Sequence, residues 1–383
     1  MARRRSRSLE VVAVLIALFL TAYAIFLGLV SFGVVKIPSG VLQFQSPSDN
    51  YPQSDLILNC FADKHEVWSP LCVSPTGEHL VAGGFKKLIW IAKWNEKNQA
   101  TMDIQDLAFD DRVESAAFSK DGSRIAVYLP GNAKGTIAIF DVQSRQLLSK
   151  WPTPRFQYDL KLVFSDDREV LFANPVERTN RLENLEGIVG WEISSGKLLS
   201  FIKTPNEFYL ADFGFFGGRL LIAYERSEDY KEIQIYESEK PFSKANPVVA
   251  IEAPGASAFD SVMFSADGTR LAASSHFGQP TRVYNVSDGR LISELEKAYC
   301  GISCRDFHGF KLSKSAKYLA TSNSNNCASL WSVRTAKELG VLQCHRKQNV
   351  IDIVFGPDDK TLITNDSHAV VIWDVSGFVN QKE

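Results

Sequence analysis

The sequence predicts an all-β protein, a seven-bladed β-propeller preceded by one transmembrane helix, and three observations predict it. A short frame of residues recurs seven times at intervals of 45, 46, 49, 51, 48 and 43 residues. Within each copy the apolar residues alternate with polar ones. Ahead of the first copy runs an uncharged apolar stretch, Val11 to Val35. A period in the forties with alternating hydrophobicity fits a four-stranded blade, whereas helical repeats of that length would place apolar residues every three or four.

Each copy opens on an apolar anchor: Val73, Phe118, Phe164, Phe213, Phe264, Leu312 and Phe355. Seven residues later an aliphatic residue opens a second strand: Leu80, Ile125, Leu171, Leu220, Leu271, Leu319 and Leu362. Between them Ser, Asp and Gly supply a tight turn, because Gly adopts positive φ freely and Asp or Ser bonds nearby backbone amides. A third strand carries one aromatic per copy: Trp90, Phe140, Trp191, Tyr236, Tyr284, Trp331 and Trp373. Sheets packed face to face are buried on both sides, so a large ring there fills the space between neighbours. A polar turn and a short fourth strand such as Leu198 to Phe201 complete the unit.

The segments Phe264-Ser265-Ala266-Asp267-Gly268 and Ile372-Trp373-Asp374-Val375 resemble the WD40 repeat family, and the resemblance spans roughly Leu56 to Ser376. The chain departs from the family pattern in two ways. The Gly-His pair that usually precedes a WD40 blade is mostly missing, and Asp follows the aromatic only at Asp141 and Asp374. The resemblance implies a propeller whose commonest use is protein interaction, and it places His345, Thr364, Asp366 and Trp373 near a structural hydrogen-bond tetrad.

In chain order, residues 1–10 form a basic tail with Arg3, Arg4, Arg5 and Arg7, and residues 11–35 are long enough for the roughly 20 residues a membrane-crossing helix needs. The alternative is a cleaved secretory signal with a small-residue site at Ala22-Tyr23-Ala24. The apolar run continues past Ala24, which favours an anchor. A basic amino terminus stays cytoplasmic, so this reading makes the chain a single-pass membrane protein with its propeller extracytoplasmic or lumenal. Residues 36–55, rich in Pro and Ser, read as a linker, and residues 56–379 as the propeller. Leu56 to Phe61 lacks a hairpin partner and the last copy lacks an outer strand, so pairing the two would close the ring.

Length variation among the copies falls between the second and third strands, at Pro130 to Lys134, Asn174 to Glu186, and Glu225 to Glu232. Loops on a rigid scaffold are where binding is commonly placed. Glu177, Arg178, Arg181, Glu225, Arg226 and Asp229 are therefore candidate partner-binding residues. A solvated variable loop remains the alternative for each.

Without its first ten residues the chain carries 38 basic against 43 acidic residues, which argues against nucleic acid as a partner. Phosphate-loop, dinucleotide, zinc-protease and nucleophile-elbow motifs are all missing from the sequence, so no catalytic residue, metal ligand or cofactor is assigned. Cys300, Cys304 and His308 are spaced four apart. A disulfide between Cys300 and Cys304 or from one of them to Cys327 or Cys344, ordinary thiols, or a metal site are the readings open there. The function expected is a noncatalytic scaffold for protein partners, held to the membrane by the amino-terminal helix. An extracytoplasmic enzyme or small-ligand binder using the central channel is the alternative.

Overall fold

The computed structural model describes residues 41–42, 56–59, 67–84, 87–92, 103–156, 160–174, 187–226, 232–252, 259–275, 280–296, 298, 309–323, 327–343, 350–365 and 370–379. Hairpins join consecutive strands into six four-stranded antiparallel blades, residues 67–108, 115–153, 162–203, 208–252, 259–295 and 310–343, numbered here 1 to 6. One further sheet closes the ring with five strands, ordered Val41–Leu42, Leu56–Asn59, Val370–Asp374, Thr361–Asn365 and Asp352–Phe355. The innermost strands touch one another all the way round, from Val67–Val73 of blade 1 to Asp352–Phe355 of the closing sheet and back to Val67–Val73.

The registers follow from the repeat. Val73 stands opposite Leu80, Phe118 opposite Ile125, Phe164 opposite Leu171, Phe264 opposite Leu271, Leu312 opposite Leu319, and Phe355 opposite Leu362. These six aliphatic residues, with Leu220, are completely buried. Full burial of such a side chain is worth about 1.5–3 kcal/mol, so this column contributes strongly to every sheet. Apolar clusters then fill the spaces between blades 1 and 2, 2 and 3, 3 and 4, 4 and 5, 5 and 6, and between blade 6 and the closing sheet.

Blade 4 breaks the constant spacing. Phe213 pairs with Ile222, while Leu220 faces Phe215. The hairpin runs two residue pairs further and turns on Gly217 and Gly218, whose φ values of 57° and 83° suit a two-residue type I′ turn. Blade 1 departs in another way: Leu80 pairs with Ile91, and Trp90 lies one residue out of register. A one-residue shift sends a strand side chain to the opposite face. Trp90 accordingly packs toward blade 2, against Phe118 and Val127, whereas Phe140, Trp191, Tyr284, Trp331 and Trp373 each face the sheet before their own.

The fold class read from the sequence, seven blades behind a transmembrane helix, needs two corrections. Six sheets are four-stranded blades of consecutive strands, and the remaining sheet is a five-stranded composite of both ends of the chain. Leu56, Ile57 and Leu58 do pair with Ile372, Val371 and Val370. Beyond them, Val41 and Leu42, assigned to a linker for their Pro- and Ser-rich surroundings, pair with Asn59 and Leu58. The second correction concerns the membrane. Crossing requires a continuous apolar helix, and among the described residues no helix is long and apolar enough to cross. The segment 11–35 lies outside the described residues. The single-pass, extracytoplasmic placement rested on that helix, and no helix among the described residues supports it.

Candidate functional site

The repeat aromatics fill the spaces between sheets, six of them buried and Tyr236 half-buried. Two carry the same polar tie: Trp331 Nε1 donates to Thr321 Oγ1 at 3.1 Å, and Trp373 Nε1 donates to Thr364 Oγ1 at 3.0 Å. This is the tryptophan and threonine part of the expected tetrad. His345 and Asp366 lie outside the described residues. Trp90 uses a different acceptor, His79 Nδ1 at 3.1 Å, while the Arg145 guanidinium sits 5.9 Å from its ring centroid. Burial lowers the His79 pKa; Glu78 opposes that in part and Arg145 adds to it.

The expected partner-binding residues divide. Glu177, Arg178, Arg181 and Asp229, like Cys300 and Cys304, lie outside the described residues. Residues 130–134 form a connection between the second and third strands of blade 2, as expected. Glu225 and Arg226 correct the loop assignment, because the strand Arg219–Arg226 carries its pairing through both, to Tyr209 and Phe208. Glu225 is buried, and Arg226 forms an ion pair of 2.6 Å with Glu232. Cys72 is a free thiol.

Polar ties cross from sheet to sheet. On the turns that join first and second strands, Lys120 meets Asp166 at 2.9 Å, Arg168 pairs with Asp121, and Asp166 accepts the Gly218 amide at 3.2 Å. Lys240 of blade 4 reaches Asp167 and Glu169 of blade 3, and Asp359 accepts the Lys314 and Ser315 amides. Nearer the axis, Asp212 accepts the Phe264 amide at 2.8 Å and pairs with Lys161 at 2.6 Å, while Asp352 accepts the Leu71 amide at 3.0 Å. Partial burial alone would raise Asp121 and Asp167, yet both are held at about 2. Ser119, Ser123 and Arg168 bond or face the first; Lys240, Ser165 and the Glu169 amide bond the second. These carboxylates are engaged in joining sheets, a structural use.

One feature escaped sequence reasoning. A cavity of about 190 Å³ opens between blades 3 and 4, walled by Ile202, Lys203, Pro205, Tyr224, Tyr236 and residues 243–245. The available signal was the outer connection of blade 4, seven residues at 239–245 where blades 2, 3 and 5 use five.

A family model described as WD domain, G-beta repeat matches residues 336–374, which run from the outer strand of blade 6 into the closing sheet. No curated protein sequence matches the chain. Among solved structures, a chain from "Crystal Structure of Mitotic Checkpoint Complex" superimposes with a TM-score of 0.60 at 15% identity, covering 88% of this chain and 99% of that one. Identity that low speaks for the fold alone. The chain carries a WD40 repeat at 336–374 and is similar in fold to a WD40 propeller over most of its length.

Proposed function

We propose that the ring is a noncatalytic docking platform for protein partners. The observation that carries this reading is the unequal length of the connections between second and third strands. They run from two residues at 85–86 in blade 1 to thirteen at 174–186 in blade 3, with five each at 130–134 and 227–231. A rigid ring with unequal loops on one face is a scaffold for recognition. Arg178, Arg181 and the acidic Glu177 and Asp229 give those loops charges that can steer and orient a partner. The likeness to WD40 propellers supports the same reading, and the solved relative comes from a protein complex. A fold does not by itself fix a function, so the test falls on the loops.

Proximity crosslinking of the full chain in its native cells, with partner identification, is the experiment. A variant with residues 175–186 and 227–231 replaced by short Gly-Ser links, and with an unchanged melting temperature, should lose its crosslinked partners. Recovery of the same partners by that variant would remove the loops from recognition. Recovery of none by the unaltered chain would count against the platform.

A further inference from the structure

In blades 2 to 6 the outer strand adds one residue, a bulge, that stands opposite no partner, and each time that residue is aliphatic: Leu148, Leu199, Val248, Ile292 and Leu339. In blade 6 the chain covers it. The carboxy-terminal turn Ser376–Val379 packs on that strand, Phe378 takes the space a side chain at Gly340 would fill, and Leu339 is 8% exposed. In blades 2 to 5 the equivalent residues are between 42% and 51% exposed. Leu147, Leu198 and Leu291, one place earlier in their strands, are exposed as well. A bulge needs no apolar side chain to deny an edge to strand pairing, and edges are commonly guarded by charge. Aliphatic side chains repeated at this one place mark a contact surface.

The surface divides in two. A Cβ on Gly196 of blade 3 would stand 2.6 Å from Trp151 Cγ in the outer strand of blade 2, and one on Gly289 of blade 5 would stand 3.0 Å from Val249 Cγ1 in the outer strand of blade 4. Blades 2 and 3 therefore join their outer strands in one patch, and blades 4 and 5 in another. Charge separates along the same line. The strands Leu147–Thr153 and Leu198–Lys203 carry only Lys150 and Lys203, whereas Asn246–Glu252 and Leu291–Leu295 carry only Glu252 and Glu294, with Glu296 next in the chain. The connections before these strands bear cations in both halves, Lys197 in the first and Lys244 and Arg290 in the second, and do not distinguish the two.

An aliphatic patch with lysines complements an aliphatic patch with glutamates, while either patch set on its own kind brings like charges together. We propose that this chain associates with a second copy of itself, the outer strands of blades 2 and 3 in one lying against those of blades 4 and 5 in the other. The two patches differ, so the contact is heterologous, and a pair of copies keeps one patch of each kind for further copies. This contact is on the flank of the ring and goes beyond the partners expected at the variable loops.

The test is sedimentation velocity of the full chain and its charge-reversed variants. The unaltered chain should sediment faster as its concentration rises. K150E/K203E and E252K/E296K each give both patches the same net sign, so each variant alone should self-associate roughly tenfold or more weakly. Glu294 is left in place because it holds Arg282 Nε at 2.8 Å. Mixed in equal amounts, the two variants should associate again, since opposite patches then meet once more. L148N/L199N, with an unchanged melting temperature, should be monomeric. A full chain that stays monomeric up to about 0.1 mM would overturn the proposal. Charge-reversed variants that associate as the unaltered chain does would overturn it too, moving the contact to another surface, and so would a mixture of the two that stays apart. The two readings fail separately: a monomeric chain with crosslinked partners removes this proposal and leaves the platform.

Discussion

Trp373 joins two jobs in one side chain, filling the space against blade 6 and donating its indole proton to Thr364. Trp373→Ala should therefore open a cavity and cost about 3–5 kcal/mol in denaturant unfolding. Thr364→Val keeps the volume but strands the buried donor, which should cost about 1–3 kcal/mol. A smaller effect of W373A than of T364V would mean that packing at this site is loose. His79 offers a pH-dependent counterpart in blade 1. It accepts from Trp90 only when Nδ1 is unprotonated, and its folded pKa lies below the ordinary 6.5. Between the two values the unfolded chain binds more protons, so this stabilisation is complete above about pH 6.5 and is lost as pH falls toward the lowered folded value. The melting temperature of the unaltered protein should drop from pH 7.5 to 5.5 by more than that of H79Q; equal slopes would release His79 from this role.

At the level of the element, the first turn of the repeat asks for one left-handed residue. Gly77, Gly122, Arg168, Gly268, Ala316 and Asp359 occupy it with φ between 55° and 78°. The outer turns repeat the demand at Arg145, Gly196, Gly289 and Ala336. An L side chain in that region costs roughly 1–2 kcal/mol, part of which glycine gives back through the freedom of the unfolded chain. Ala336→Gly should then raise stability by up to about 1 kcal/mol. Gly268→Ala should lower it by more than that, because its Cβ would stand 2.5 Å from Phe216 Cγ. Thermal melts of both variants check the opposite signs. The outer strands show a second recurring device: opposite the aromatic, blades 2 to 6 each insert an extra residue as a bulge. Bulges twist a free edge away from pairing, which explains how Leu147, Leu148, Leu198, Leu199, Leu291 and Ile292 can stand exposed there. Blade 1 has no such shift beside Trp90, in keeping with its displaced register.

For the whole molecule, closure is the decisive contact. Leu56–Asn59 covers the edge of Val370–Asp374, so a chain lacking residues 1–59 should melt earlier and less cooperatively and tend to associate through the bared edge. An unchanged melt would mean that the ring does not depend on this pairing. Acid should loosen the turns that join neighbouring sheets. Asp121 and Asp167 are held at about 2 against an ordinary 3.8, so their contribution is present above about pH 4 and is lost as pH falls through the folded value. D121N should flatten the acid limb of a stability profile between pH 4 and 2.

The sequence by itself determined the repeat, the alternation and the column of buried aliphatics, because each is a local pattern copied with little change, and the pairing of Leu56 to Leu58 with the last strand, because each of those two strands lacked a partner beside it in the chain. Only the tertiary structure decided which way Trp90 faces, that Phe213 meets Ile222, and that Glu225 and Arg226 belong to a strand. All three depend on cross-strand register, which a count along one chain does not contain. The membrane reading gains no support from the described residues, among which no helix is long and apolar enough to cross. The cavity beside Tyr224 lay beyond sequence reasoning for the same reason as the register: its walls come from two blades, and their separation is set by how the sheets pack.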